Sequence, residues 1–372
     1  MDMEKIRLGI VGMGNMGSGH FRNVMEGKCI SVIVTAICDT NPDKLKGKEN
    51  LACFTDSNEM FDSGLVDAVL IAVPHYSHPE IAIEAFKRGL HVLVEKPAGV
   101  YTRQVREMNE AAAKAGVKFG IMFNQRTNPL YARAREIVQG GQLGRTKRLV
   151  WIITNWYRTQ AYYSSGSWRA SWSGEGGGVL LNQAPHNLDL WQWIFGMPAR
   201  VRAFCYPGKY HDINVEDDVT IFSEYSNGAT ATFITTTGES PGTNRLEISG
   251  DKGKIVIEEG KLKWWKLACS EREFCYTAKE GFISPDTSYE EFTAKEPEGH
   301  VEVLEAFARS ILYGTAMVAK GEEGLNSLSI SNAAYVSSWT DDWANIPTDE
   351  GLFERHLTQL CDKERQHPPK KA

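Results

Sequence analysis

Several absences narrow the role of this chain. Its 372 residues carry 41 Lys plus Arg against 47 Asp plus Glu, a formal net charge of −6, and no extended basic cluster precedes the short tail Pro368–Ala372. Without a clustered basic excess to neutralise phosphates, a nucleic-acid partner is not expected. Long apolar runs are missing too. The opening MDMEKIRLGIVGMG offers only the six-residue, mostly apolar segment Ile6–Val11 before Gly12 and Gly14, and no stretch approaches the roughly 18 apolar residues of a spanning helix. We therefore expect neither a signal peptide nor a membrane contact, and a cytoplasmic location. The seven cysteines (Cys29, Cys38, Cys53, Cys205, Cys269, Cys275, Cys361) are odd in number, scattered and free of CxxC pairs. That pattern argues against a disulfide framework and against a metal site. Internal repeats and low-complexity segments are lacking as well.

What the chain does have is core-forming mass, with 42% hydrophobic, 10% aromatic and 24% charged residues. Such a composition is globular. At roughly 100–200 residues per domain, the length predicts two domains. From Ile6 to about Leu143, short apolar runs alternate with helical patterns, the signature of βα units winding a parallel sheet. The expected strands are Ile6–Val11, Val32–Cys38, Ala68–Ala72, His91–Val94 and Phe119–Met122; the expected helices are Met16–Met25, Pro79–Arg88, Thr102–Ala115 and Pro129–Gln139. The glycine-rich segment Gly140–Gly144 breaks this pattern, and the boundary is placed there, giving domains 1–143 and 144–372.

Beyond it the texture is β-rich: Thr146–Tyr157, Val201–Tyr206, Val219–Tyr225, Thr230–Thr237, Leu246–Ser249, Lys254–Glu258 and Leu262–Trp265, with a tight Asn227-Gly228 turn. One helix, Pro185–Ile194, comes early and another, Val301–Leu312, late, while Glu271–Pro297 looks irregular. The fold class is thus α/β followed by α+β: a doubly wound parallel Rossmann sheet, then a domain on an open, mostly antiparallel sheet.

Gly12-Met13-Gly14-Asn15-Met16-Gly17 follows the first strand and opens a helix. Gly12 suits the tight turn, Gly14 close approach of a pyrophosphate, and Gly17 close packing of helix on sheet. The acid expected about 20 residues further on is Asp39, at the end of the second strand. A carboxylate there accepts from the adenosine ribose hydroxyls and repels a 2′-phosphate, so the cofactor is expected to be NAD.

Two further constellations carry chemistry. Glu95-Lys96-Pro97 ends a buried strand at the edge that faces the ligand crevice in open α/β sheets. A lysine held there can stabilise a developing alkoxide; it can equally be a surface lysine at a strand end. Glu175 to Asp189 reads EGGGVLLNQAPHNLD, with three glycines that would let backbone approach a ligand and a helix starting near Pro185. His186 lies one turn before Asp189 and one turn after Asn182. An imidazole titrates near neutrality and can take a proton from an alcohol, although a histidine among Leu188, Leu190 and Trp191 can also be a core residue.

Together, GMGNMG after strand one, Asp39 after strand two, EKP at 95–97 and GGGxLxxxxxHxxD at 176–189 resemble the Gfo/Idh/MocA family, and Glu322-Glu323-Gly324 before a late helix fits as well. The resemblance implies NAD-dependent oxidation of a sugar or polyol hydroxyl, with Lys96 and His186 as catalytic pair. It places Gly12, Met13, Gly14, Asn15, Met16, Gly17, Asp39, Ala72, Pro74, His78, Glu95, Lys96, Asn124 and Arg126 on the cofactor side. It also implies a homo-oligomer, dimer or tetramer, built through the second sheet. Members that oxidise inositol have an aspartate where this chain has Asn182. A neutral amide fixes the ring tautomer but gives no ionic support to imidazolium, so Lys96 then carries more of the charge stabilisation or Asn182 touches substrate.

Tyr157, Arg158, Tyr163, Trp168 and Arg169 lie in a loop leading to the glycines. Aromatic faces suit the C–H faces of sugar rings, and arginines supply directed hydrogen bonds; the alternative is that the tryptophans close a core edge or a subunit interface. With Lys96, Asn182 and His186 these five form the expected substrate set. The loop resembles the glycoside-oxidising branch of the family, which implies oxidation of a glucoside C3 hydroxyl to a 3-oxo-glucoside. A redox-neutral NAD-dependent glycosidase, an inositol or polyol 2-dehydrogenase and a non-catalytic sugar sensor are the competing readings.

Overall fold

The computed structural model describes residues 4–366 apart from Glu49 and Ser167; the basic tail lies outside the described residues. The chain divides into two compact units. One takes residues up to Thr127, Gly174–Gly176 and Pro297–Leu328; the other takes Asn128–Ser173, Gly177–Glu296 and the chain from Ser329 onward.

The first unit is built on six parallel strands, β1 (Ile6–Val11), β2 (Val32–Cys38), β3 (Ala52–Phe54), β4 (Ala68–Ile71), β5 (His91–Val94) and β6 (Phe119–Ile121), in the order β3-β2-β1-β4-β5-β6. Between them run α1 (Asn15–Met25), α2 (Ser57–Asp62), α3 (His78–Lys87) and α4 (Thr102–Ala115). Fully buried runs such as Ala68–Ile71 are what a sheet covered on both faces demands. The register pairs Val11 with Cys38 and Ile71, and Ile71 with Val94. Four neighbouring strands therefore end level, and the residues that follow them, Gly12, Asp39, Ala72 and Glu95, share one edge. The strand order reverses beside β1, the switch point at which such sheets bind ligands.

The second unit opens with α5 (Pro129–Gln139), capped by Asn128, whose side chain accepts from Leu130 N–H. Sequence pattern assigned this helix to the first domain. It packs in the second, where Arg135 and Gln139 donate to the carbonyls of Trp193 and Ile194. Then follow β7 (Thr146–Ile153), α6 (Gln160–Tyr163), α7 (Pro185–Phe195), β8 (Arg200–Pro207), β9 (Glu216–Glu224), β10 (Thr230–Thr236), β11 (Asn244–Gly250), β12 (Gly253–Glu258) and β13 (Lys261–Leu267). The stretch expected to be irregular contains α8 (Glu271–Thr277) and β14 (Thr287–Thr293), a fully exposed edge strand on β13.

Helix α9 (Gly299–Tyr313) returns to the first unit, burying Val303, Leu304, Phe307 and Ala308 in the same core as Ile6, Leu8, Ile10 and Leu93. Finally come α10 (Gly324–Thr340), β15 (Ala344–Asn345) and α11 (Glu350–Gln366). The second sheet has nine strands in the order β14-β13-β12-β11-β7-β10-β9-β8-β15, antiparallel throughout except for the β7–β10 pair. Its aromatic core stacks Trp191 on Phe233 and Tyr335 on Trp339. All 10 tryptophans of the chain belong to this second unit. Among the described residues, no helix is long and apolar enough to cross a membrane.

Candidate active site

At the level edge of the first sheet the glycine motif turns sharply. Gly12 has φ 92, and a Cβ there would sit 2.4 Å from the Ala72 carbonyl oxygen; one at Gly17 would sit 1.8 Å from the Gly12 carbonyl oxygen. A side chain at either position would break the turn or lift the helix. Gly14 differs, since a Cβ there would meet no atom within 4 Å among the described residues. It is the N-cap of α1, and a glycine there leaves the first-turn amides without a side-chain cap. The Asp39 carboxylate stands beside it, accepting from Met13 N–H at 2.7 Å and Asn41 N–H at 2.9 Å. An open space at a helix N-terminus with an acid level with β2 fits NAD.

On the same edge Lys96 leaves β5 through a cis peptide to Pro97. Glu95 is buried behind it, accepting from Lys96 N–H at 3.1 Å, and its other oxygen lies 2.7 Å from His20 Nε2. Burial pushes the Glu95 carboxyl up, but the His20 hydrogen bond and the nearby His20, Lys96 and His300 charges outweigh it and hold it at about 2. His300, on α9, meets Asn124 Nδ2 through Nδ1 at 3.3 Å and sets its ring edgewise on His20.

In the second unit, His186 is the second residue of α7 and buried. The turn before it is tightly bonded: Leu181 and Asn182 N–H donate to the Gly178 carbonyl, and Ala184 N–H to that of Val179. Nearby, Tyr162 Oη accepts from Arg169 Nη1 at 2.8 Å and from Gln183 Nε2 at 3.1 Å, and the Arg169 guanidinium lies over both Tyr162 and Trp168. Arg158 covers Tyr162 as well, 5.1 Å from its ring centroid.

Residues 6–123 match the family model described as oxidoreductase family, NAD-binding Rossmann fold, and residues 131–256 match that of the GFO/IDH/MocA C-terminal domain. The chain belongs to the GFO/IDH/MocA family. It is an NAD-binding oxidoreductase. Myo-inositol 2-dehydrogenase of Thermotoga maritima is 27% identical over 88% of this chain and 95% of its own. Levoglucosan dehydrogenase of Pseudarthrobacter phenanthrenivorans is 23% identical over 93% and 99%. Among solved structures, the WlbA dehydrogenase of Bordetella pertussis in complex with NADH and UDP-GlcNAcA superposes with TM-score 0.79 at 26% identity, covering 93% of this chain and all of that one.

Within this GFO/IDH/MocA chain the expected cofactor residues gather in the first unit and the loop residues with Asn182 and His186 in the second. Gly12 to Gly17, Asp39, Ala72, Glu95 and Lys96 lie along one sheet edge; Met16 is exposed and Pro74 caps a short turn before α3. Three of the expected residues are buried with partners from the protein itself. His78 is buried with Nδ1 2.8 Å from the Pro97 carbonyl and Nε2 2.8 Å from that of Val73, so its ring braces the Lys96-Pro97 turn. Burial lowers its pKa, against the two carbonyls, which raise it. Arg126 is buried and paired to Glu323 at 2.7 Å, which ties the Asn124–Arg126 motif to the late Glu-Glu-Gly motif. Tyr163 is buried, its hydroxyl 2.7 Å from Thr237 Oγ1, whereas Tyr157 is exposed.

The glycine run also needs correction. Gly177 and Gly178 make room for the protein itself: a Cβ would sit 2.1 Å from Tyr335 Oη and 1.9 Å from the Glu216 carbonyl oxygen, respectively. Sequence reasoning missed Tyr162, Gln183, His211, Glu216 and Asp217. A signal existed for Asp217, which falls in the inward-facing alternation of Val219 and Ile221, where an acid needs a buried partner.

Proposed function

We propose that this oxidoreductase oxidises a secondary hydroxyl of a sugar or glycoside, specifically the C3 hydroxyl of a glucoside, giving a 3-oxo-glucoside. The observation that carries the reading is the common edge of the first sheet, where Lys96 stands alongside the glycine turn and Asp39. A lysine next to a nicotinamide-nucleotide turn serves an alcohol becoming a carbonyl, because its ammonium stabilises negative charge on that oxygen. His186 takes the hydroxyl proton as general base. NAD supplies the hydride acceptor when bound. Tyr157, Arg158, Trp168 and Arg169 hold the ring, and Asn182 orients it or the imidazole. The named activities of the inositol and levoglucosan relatives, both on cyclic polyhydroxy compounds, support the substrate class. Assembly as a homo-oligomer through the second sheet belongs to the same proposal, supported by Phe204, Tyr206 and Phe222, which stand exposed on one face of β8 and β9.

The test is a panel of glucosides, inositols and a UDP-linked sugar acid, followed by NADH absorbance and product mass. Loss of two hydrogens without free sugar, and a carbonyl at C3 by NMR, is expected. Free sugar with no net NADH transfers the reading to a redox-neutral glycosidase. Lys96→Met and His186→Ala should keep NAD binding while turnover falls roughly 10²–10⁴-fold.

A further inference from the structure

Two adjacent acids at the start of β9 each capture three consecutive backbone amides. The Glu216 carboxylate accepts from Gly178 N–H at 2.9 Å and Leu180 N–H at 3.0 Å, while its own carbonyl accepts from Val179 N–H at 3.0 Å. Tyr335 Oη adds a fourth donor at 2.7 Å. The Asp217 carboxylate accepts from the N–H groups of Lys209, Tyr210 and His211 at 2.9, 2.9 and 3.0 Å, and faces His211 Nδ1 at 2.8 Å. Both acids are fully buried. Burial drives the Glu216 carboxyl up to about 7 against the hydrogen bonds from Leu180, Tyr335 and Gly178, which lower it, so the site is costly to keep.

The two acids serve different segments, Glu216 the 178–180 backbone and Asp217 the 209–211 backbone. From Glu216 the bonded path runs through 178–180 and the turn ending at Ala184 directly into α7 and His186. From Asp217 it runs through His211, whose Nε2 lies 2.9 Å from the Arg158 carbonyl. The Asp217 carbonyl also accepts from Thr237 N–H, and Thr237 bonds both Arg158 N–H and the Tyr163 hydroxyl.

We propose that Glu216 and Asp217 are positioning residues with separate duties: Glu216 sets the register of His186, and Asp217 sets the Arg158–Tyr163 segment that holds the sugar. This rests on the function proposed above.

The experiment compares Glu216→Gln and Asp217→Asn in the full-length protein with NAD, using whichever panel sugar is turned over. Because a misplacement of about 1 Å can cost 10²-fold in rate, Glu216→Gln should lower kcat about ten- to a hundredfold, shift the pH profile of kcat and leave the sugar KM within about threefold. Asp217→Asn should raise the sugar KM about tenfold or more and leave kcat within about threefold. Hydrogen exchange read without substrate should quicken at 178–187 in the first variant and at 158–163 and 209–211 in the second. If either variant fails to fold, Tyr335→Phe and His211→Gln, each removing one partner, take its place with smaller effects in the same directions. Unchanged constants, or kcat and KM moving together in both variants, overturn the proposal. If Lys96→Met and His186→Ala also keep full activity, the functional reading itself has failed; if those two are inactive, the fault lies with the positioning roles alone.

Discussion

Replacing Glu95 by glutamine should remove an acid-sensitive component of stability whose size follows from the structure. The buried carboxylate holds two donors, His20 Nε2 and Lys96 N–H, and titrates at about 2 in place of the usual 4.5. A carboxyl whose folded pKa is depressed stabilises the fold fully above its unfolded value and loses that contribution as pH falls toward the folded value. The gap converts to roughly 3 kcal/mol. An amide has one acceptor oxygen for two donors and turns its NH2 toward the other, adding about 1–3 kcal/mol of loss that does not depend on pH. Urea unfolding of both proteins by far-UV circular dichroism, from about pH 7 to about pH 3, separates the two parts. The difference in stability should be flat down to about pH 5 and then narrow, with about half of the titrating part gone by about pH 3. A difference that stays constant or widens in acid would refute the assignment of the charge to Glu95.

Glu216→Gln should show the reverse pH trend: a carboxyl held at about 7 stabilises the fold in acid and loses that as pH rises from 4.5 through 7, so the variant gains on the parent across that window in the same unfolding assay. Asp39→Ala should weaken NAD binding about 10- to 100-fold and narrow the preference over NADP, measured by titration with both nucleotides. Gly178→Ala pushes a methyl against the Glu216 backbone and should cost about 1–3 kcal/mol, read as a lower Tm. Arg126→Met leaves Glu323 without its 2.7 Å partner and should cost about 1–3 kcal/mol, with Glu323→Gln in the same background restoring part of it.

Local pattern carried far in this chain. β1, β2, β5, α4 and α5 run as their apolar patterns predict, because a helix-covered strand is a largely apolar run and an amphipathic helix shows its buried face at three- and four-residue steps. β3 escaped because three residues, Ala52–Phe54, carry no period. Periodicity says that α5 has a buried face but not which unit buries it. Nothing local reveals that α9 returns to the first core, since that depends on contacts hundreds of residues away. Motif and spacing led to the glycine turn, to Asp39 and Lys96 along the same sheet edge, and to the helix that carries His186. The contacts of His78, Arg126 and Glu216 were not legible, because each depends on a partner distant in sequence.

The distribution of indole rings has a practical consequence. Intrinsic fluorescence excited at tryptophan originates in the α+β unit, and the nucleotide unit contributes no indole of its own. Backbone dichroism sees both. Noncoincident melting curves from the two signals would therefore reveal two cooperative blocks where a single emission trace would suggest one.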